Sequence, residues 1–231
     1  MDSFLKNENL YKALDEKVGF RNKKAMVYES IKQKIIEVAL PPGLPINESA
    51  LARMLNVSKT PVREAVQQLE RENLVENISG RGSYVTPVSF EYIHDIFEMR
   101  EVLECGAAKR AVLVVDGEEI QSRMAMMEQS EPFLSDTSQS EGGSAEDIHT
   151  YIVRMLRNKG LMMAYSRVLD HIARIRNFFA DRIIANRFDK IRAEHMEIYK
   201  ALLARDPDRA ERVVQEHLRN AASYIKNVVR L

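Results

Sequence analysis

Residues 48–75 read ESALARMLNVSKTPVREAVQQLERENLV, and the spacing of the apolar side chains in this stretch decides the architecture of the N-terminal part of the chain. Ala50, Leu51, Met54 and Leu55 keep the period of a short helix that Asn47 can cap from outside. Asn56 to Thr60 breaks the pattern, and Pro61 then stands in a first helical turn, where its missing N–H is tolerated. Val62, Ala65, Val66 and Leu69 carry the next helix to the neighbourhood of Asn73. Two helices separated by a short turn, the second opening on Ser58-Lys59-Thr60-Pro61, predict a helix-turn-helix.

Working outward, Met26, Val27, Ile31, Ile35, Ile36 and Ala39 predict a preceding helix that stops before Pro41-Pro42. Downstream, Leu74–Glu76 and Ser83–Thr86 read as two strands joined through Ser79-Gly80-Arg81-Gly82, a hairpin with a basic tip flanked by glycines. A recognition helix enters the major groove of DNA by its N-terminal end. Ser58, Lys59, Thr60 and Arg63 occupy that end, with hydroxyls for phosphates and long cations for guanine edges. At the hairpin tip, glycines let the backbone approach the sugar-phosphate chain while Arg81 reaches toward the minor groove.

From Phe90 onward nearly everything reads as amphipathic helix, interrupted by the polar stretch SDTSQSEGGSA at residues 135–145, which cannot bury a face. Phe90, Ile93, Phe97, Arg100, Glu104, Ala107, Ala108 and Ala111 share one helical face, and two of them are charged. Arg100 and Glu104, at i and i+4, form a buried ion pair, or Arg100 faces a cavity and receives a ligand carboxylate on its planar fork.

Three histidines also fall in apolar stripes, His195 with Ile191, Ile198 and Leu202, and His217 with Val213, Ala221 and Tyr224. His195 stands 11 residues before Asp206 and His217 stands 11 after it, so a turn at Asp206-Pro207-Asp208 brings both to one height in an antiparallel hairpin. His149 sits among Ala145, Ile152, Val153 and Leu156 in the same way. Three converging imidazoles suit zinc, nickel and related divalent ions and leave positions for water or ligand oxygens. The alternative is that each is a core residue with a hydrogen-bonded partner. His171, at the flank of its stripe, and His94 are weaker candidates.

The chain has 231 residues, 45% hydrophobic and 29% charged, enough to bury a core without staples. Its single cysteine, Cys105, excludes an intramolecular disulfide framework. Lys plus Arg equals Asp plus Glu, 34 each, yet residues 20–85 carry 10 basic against 7 acidic side chains and residues 86–231 carry 21 against 23. A small basic module on a slightly acidic helical body points weakly to nucleic acid. No apolar run approaches the ~20 residues of a membrane span and MDSFLKNENLYK lacks a signal-peptide core, so a soluble, cytoplasmic protein with no membrane partner is expected.

These residues also carry a resemblance. Residues 27–88, through ESALARMLNVSKTPVREAVQQLERENLV and GRGSYV, resemble the winged-helix domain of the GntR family of bacterial transcription regulators. The resemblance implies DNA contacts from Ser58, Lys59, Thr60, Arg63, Gly80 and Arg81. Where the family often has an arginine before the first Leu-Ala pair, this chain has Asn47-Glu48-Ser49. Residues 90–230, through MREVLECGAAKRAV, IHTYIVRMLRN and AEHMEIYKALLARDPDRAERVVQEHL, resemble the all-helical FCD domain of the FadR-like branch. Many such domains bind a divalent metal through an aspartate and three histidines, and then a small organic acid. His149, His195 and His217 match the histidine positions, while the place of the aspartate holds Ala145; Glu146, Asp147, His171 or water would complete the shell. Acyl-CoA-binding members lack this histidine set, which disfavours a fatty acyl-CoA effector.

The expectation is therefore a mostly α protein: an N-terminal extension (1–22), a winged helix-turn-helix (23–88) and an antiparallel all-α helical bundle, FCD-like (89–231). It acts as a homodimeric regulator that reads a palindromic double-stranded DNA operator and senses a small carboxylate, with zinc or nickel as the candidate metal and no organic cofactor. A DNA-binding dimer whose helical domain is purely structural is the first alternative. A three-histidine metal hydrolase is the second, though no HExxH motif supplies a base and the winged helix would be unexplained.

Overall fold

The computed structural model describes residues 23–129, 147–180 and 188–229. The extension at 1–22, the polar stretch at 135–145 and Glu146 lie outside the described residues. Two compact units emerge: one takes residues up to Ser89 together with Ala173–Phe178, the other Phe90–Ile172 and Phe179–Leu231.

In the first unit, α1 (Lys23–Ile36), α2 (Glu48–Met54) and α3 (Lys59–Arg71) precede a hairpin of β1 (Val75–Ile78) and β2 (Gly82–Val85). The apolar periods converge on one core: Val27, Ile31 and Ile35 of α1, Leu51 of α2, Val62, Ala65, Val66 and Leu69 of α3, and Val75 and Val85 of the hairpin are all buried. Asn47 accepts from Ala50 N at 3.0 Å, capping α2 as its sequence position anticipates. Both strands lie closer to the tip than the sequence predicts, and β1 is one residue longer. Ile78 pairs with Gly82 and Val75 with Val85, leaving Ser79-Gly80-Arg81 as the turn. Gly80 at φ 75° and Gly82 at φ 94° explain this, since both take left-handed backbone that lets the strands approach so close to the tip. On its other side β2 is bonded by the preceding loop, with Gly43 N to Val85 O at 2.8 Å and Ile46 N to Ser83 O at 2.8 Å. The loop therefore covers the outer edge of β2.

Val38 ends the turn after α1 at φ 61°, a left-handed conformation in which a β-branched residue is strained by about 1–2 kcal/mol. We expect Val38→Asn to raise the melting temperature of this unit by a few degrees, equivalent to about 0.5–1 kcal/mol. An unchanged or lower melting temperature would show that the packing of Val38 outweighs its strain.

The second unit is all helix: α4 (Phe90–Arg100), a π turn (Glu101–Cys105), α5 (Gly106–Ala111), α6 (Gly117–Gln129), α7 (Ile148–Met155), α8 (Lys159–Phe178, of which the second unit takes the part up to Ile172), α9 (Phe188–Leu203) and α10 (Pro207–Val229). α9 and α10 form an antiparallel hairpin whose turn is set by Arg205 at φ 52° and by Asp206, which accepts from Arg209 N at 2.9 Å. Arg205 also donates to the carbonyls of Val112 and Val115, at 3.2 and 3.0 Å, and so ties the hairpin tip to the end of α5. α10 lies along α4, the π turn and α5, and α7 packs on the π turn and α5. These helices bury His149, His195 and His217. No helix among the described residues is long and apolar enough to cross a membrane.

Candidate metal centre and nucleic-acid interface

His149 follows the first residue of α7, His195 sits in mid-α9 and His217 in mid-α10, and all three are buried. Their rings meet: the centroids of His149 and His195 are 5.1 Å apart, those of His149 and His217 4.9 Å, and those of His195 and His217 4.7 Å. One ring nitrogen of each lies within 4.8 Å of the others. On α10 the buried stripe is Ala210, Val214, His217, Leu218 and Ile225, one step round the helix from the Val213–Ala221 line that the sequence suggests. His217 lies on both lines, so it faces inward in either phase.

Carboxylates hold two of the rings from behind. Glu104 Oε2 is 2.7 Å from His149 Nδ1, and Glu194 Oε2 is 2.8 Å from His217 Nδ1. A neutral imidazole that donates from Nδ1 keeps its Nε2 lone pair, which is the arrangement of a metal-ligating histidine with its outer carboxylate. Asn220 donates to the other oxygen of Glu194 at 2.9 Å. Glu104 is fully buried and collects three further contacts: Arg100 Nε to Oε1 at 2.6 Å, Arg100 Nη2 to Oε2 at 3.4 Å, and the Tyr165 hydroxyl to Oε1 at 2.9 Å. The π turn places Glu104 here; such turns recur at functional sites because they re-aim a side chain within a continuous helix.

The electrostatics follow from burial against these partners. Burial alone would raise the Glu104 pKa, but the Arg100 guanidinium and His149 hold it well below the usual carboxylate range. Burial works to lower His149, yet the adjacent Glu104 charge, aided by Asp147, lifts it above the ordinary imidazole value. His217 is pushed down to about 4 by burial, which outweighs its bond to Glu194, and the positive charges of His149 and Arg100 add to the shift. Tyr165 is raised well above its ordinary value by burial and by the Glu104 charge, so it remains a donor.

Arg100 is buried and lies on Glu104, the ion pair that the sequence holds open beside a ligand-facing role. Asp147 is the cap of α7: its Oδ1 accepts from His149 N at 3.0 Å, which engages the carboxylate nearest the first histidine. His171 is outside the cluster, with its Nδ1 2.5 Å from the Tyr92 hydroxyl, and His94 is exposed beside Asp95 and Glu98. Sequence reasoning missed Glu194 and Tyr165 as parts of the centre and saw Glu104 only as a partner of Arg100. The charge of Glu104 inside an apolar stripe was the available signal for it.

In the first unit, Ser58, Lys59, Thr60 and Arg63 are exposed at the start of α3, and Gly80 and Arg81 are exposed at the hairpin tip. Ser58 is the residue before α3, yet its side chain makes no capping bond. Pro61 occupies the third helical position and has no N–H to offer the hydroxyl, which removes one of the two usual capping donors. The first turn of α3 also contains no acidic residue. Arg63 reaches back to Glu48 Oε2 at 3.4 Å, an exposed pairing that orients the guanidinium without strongly neutralising it. Gln67 and Arg71 continue the exposed line of Arg63 at intervals of about four residues, a face that the sequence reading passed over.

Comparison with known proteins adds family matches over both units. The gntR family of bacterial regulatory proteins matches residues 23–85, and the FCD domain matches residues 95–220. A Bacillus subtilis (strain 168) protein named HTH-type transcriptional regulator YdhC is 25% identical over 206 residues, covering 87% of this chain and 90% of its own. The HTH-type transcriptional repressor RspR of Escherichia coli (strain K12) is 22% identical over 203 residues, covering 87% and 88%. Among solved structures, E. coli McbR/YncC superposes with a TM-score of 0.64 at 18% identity over 90% of this chain and 99% of that one. A GntR transcriptional regulator from Rhodococcus sp. RHA1 does so at 0.59 and 21% identity over 88% and 97%.

Proposed function

The chain belongs to the GntR family of bacterial regulatory proteins, with an FCD domain as its helical half, and we propose that a small carboxylate bound at the histidine cluster, through a divalent metal, controls its hold on DNA. The protein is a DNA-binding transcriptional regulator, and its relatives carry regulator names rather than enzyme names. The hydrolase alternative is therefore set aside.

One observation carries the effector reading: three buried imidazoles in mutual contact, two of them held at Nδ1 by carboxylates. A purely structural core has no use for three adjoining rings that each bring a nitrogen to one place. His149, His195 and His217 would hold zinc or nickel, for which imidazole is a fitting donor. A metal with three protein nitrogens supplies open positions for carboxylate oxygens. Arg100 contributes through its charge, which is felt at His217. Glu104 and Glu194 fix the rings, and Tyr165 and Asn220 fix the glutamates.

At the other end of the chain, Ser58, Lys59, Thr60 and Arg63 would read one half-site, with Gly80 and Arg81 at the flanking backbone. A homodimer would present two such helices to a palindromic operator, with half-sites about 34 Å apart or a multiple of that. An effector changes operator affinity only if it binds one arrangement of the dimer better than another. The test begins with a duplex selected from random DNA by the purified protein. Zinc- or nickel-loaded protein is then titrated with that duplex in the presence of di- and tricarboxylates. A shift in operator affinity that disappears after metal removal is the expected result. Indifference to every carboxylate, loaded or not, would make the helical half structural.

On the same duplex, Arg63→Ala is expected to weaken binding by about 10- to 100-fold at fixed salt, the loss of one base-edge or phosphate anchor, with unchanged helix content by circular dichroism. Unaltered affinity would remove Arg63 from the interface.

A further inference from the structure

Glu70 is out of place on a helix that reads DNA. It stands two helical turns beyond Arg63 on α3, about 10 Å further along, and so lies on the same edge of that helix. A carboxylate on an edge that meets phosphates repels them and weakens binding. Its contacts give it another task. Ser83 Oγ donates to Glu70 Oε1 at 2.9 Å, and Asn77 Nδ2 lies 3.5 Å from both Glu70 Oε1 and Ser83 Oγ. Asn77 and Ser83 are cross-strand partners, so one carboxylate oxygen grips both strands of the hairpin at a single level. That level is one residue pair below Ile78 and Gly82, and Ser83 is two residues from Arg81.

The grip sits where apolar anchoring gives out. Val75 and Val85 hold the base of the hairpin in the core of the first unit. Beyond them Asn77, Ile78, the turn Ser79-Gly80-Arg81 and Gly82 are exposed. A two-stranded hairpin has little stability of its own, and one fixed at its base alone swings at its tip. Ile46 N holds the Ser83 carbonyl from the loop side at 2.8 Å, while Glu70 ties the Ser83 hydroxyl to α3.

We propose that Glu70 is a positioning residue for DNA binding: through Ser83 and Asn77 it fixes the hairpin tip against the recognition helix. Arg63 and Arg81 then reach one half-site at a set spacing. This rests on the DNA contact proposed for Arg81. The competing role is a plain surface charge that tempers affinity for DNA.

A comparison of Glu70→Gln with Glu70→Ala separates the two roles. Both variants lose the charge, so relief of phosphate repulsion is common to them. Alanine alone loses the acceptor, since a glutamine carbonyl still receives Ser83. Alanine is also the better helix former, so α3 is not weakened by the change. The full chain is titrated with a duplex selected from random DNA, at one fixed salt concentration. Glu70→Ala is expected to bind about three- to tenfold more weakly than Glu70→Gln, the worth of one hydrogen bond. Ser83→Ala should reproduce the loss. In an Arg81→Ala background the gap between the two Glu70 variants should close, because the grip then has no tip contact to position. Equal affinity of Glu70→Gln and Glu70→Ala, with Arg81→Ala weakened, would overturn the proposal and leave Glu70 a surface charge. A gap that persists undiminished in the Arg81→Ala background would also overturn it, and would mark a general loosening of the domain. If Arg81→Ala alone leaves operator affinity unchanged, the contact proposed for Arg81 fails and the positioning role falls with it.

Discussion

Replacement of Glu104 by glutamine is expected to cost the helical unit about 3–5 kcal/mol, the largest single effect we anticipate in this chain. Glu104 and Arg100 are both buried, and their 2.6 Å contact is the principal compensation for placing either charge out of water. Glutamine keeps the shape and can still accept from Tyr165, but it leaves the Arg100 guanidinium buried without a counter-charge. It also releases His149 from the carboxylate that fixes its ring. The measurement is the denaturant midpoint of the helical unit, followed by a signal specific to it. A loss below about 1 kcal/mol would show that water reaches the pair and screens it. The double variant Arg100→Met with Glu104→Leu discriminates further. Removing both charges should recover most of the stability lost by the single change, as buried ion pairs replaced by apolar groups commonly do.

The second large effect concerns the metal. Protein loaded with zinc or nickel is expected to lose melting temperature on chelation, by an amount set by how far the free ion exceeded its dissociation constant. A hundredfold excess corresponds to about 2.7 kcal/mol. His195→Ala should reduce bound metal from near one per chain to background, as read by elemental analysis of protein purified without a histidine tag. Its melting temperature should no longer respond to added metal or chelator. Equal metal content in the variant, or a wild-type melting curve indifferent to both additions, would return the three histidines to a structural role. Ala145 stands where an aspartate is expected, and Asp147 is occupied as the α7 cap, so three nitrogens alone must suffice unless Glu146 joins them.

Why some of this was legible in the chain and some was not has physical causes. The helix-turn-helix was readable because its determinants are local: an Asn47 cap, a Pro61 in a first turn, and apolar periods that need only one neighbour each. The meeting of His195 and His217 was readable because equal distances from a turn impose equal heights on two antiparallel helices. Their partners were not. Glu194 and Tyr165 reach the site only at particular rotations of α9 and α8, and rotation is fixed by packing across the whole bundle. The π turn was invisible for a related reason, since Glu101–Cys105 keeps an ordinary helical pattern of apolar and polar residues. The inward α10 stripe shows the size of the error to expect: one step round the helix, which moves Val213 aside and leaves His217 in place.

The unused hydroxyl of Ser58 bears on energy as well as on contact. An N-cap bond left unmade costs a helix about 1 kcal/mol, so α3 is held in shape by its buried face, Val62, Ala65, Val66 and Leu69, more than by its own beginning. The Lys59 and Thr60 amides are left open at that beginning, and Pro61 has none to add. A phosphate oxygen seated there would fill the role that the hydroxyl does not. On the proposed contact, operator binding and the local stability of this helix are two sides of one equilibrium: the helix end proposed to meet DNA is incomplete without it.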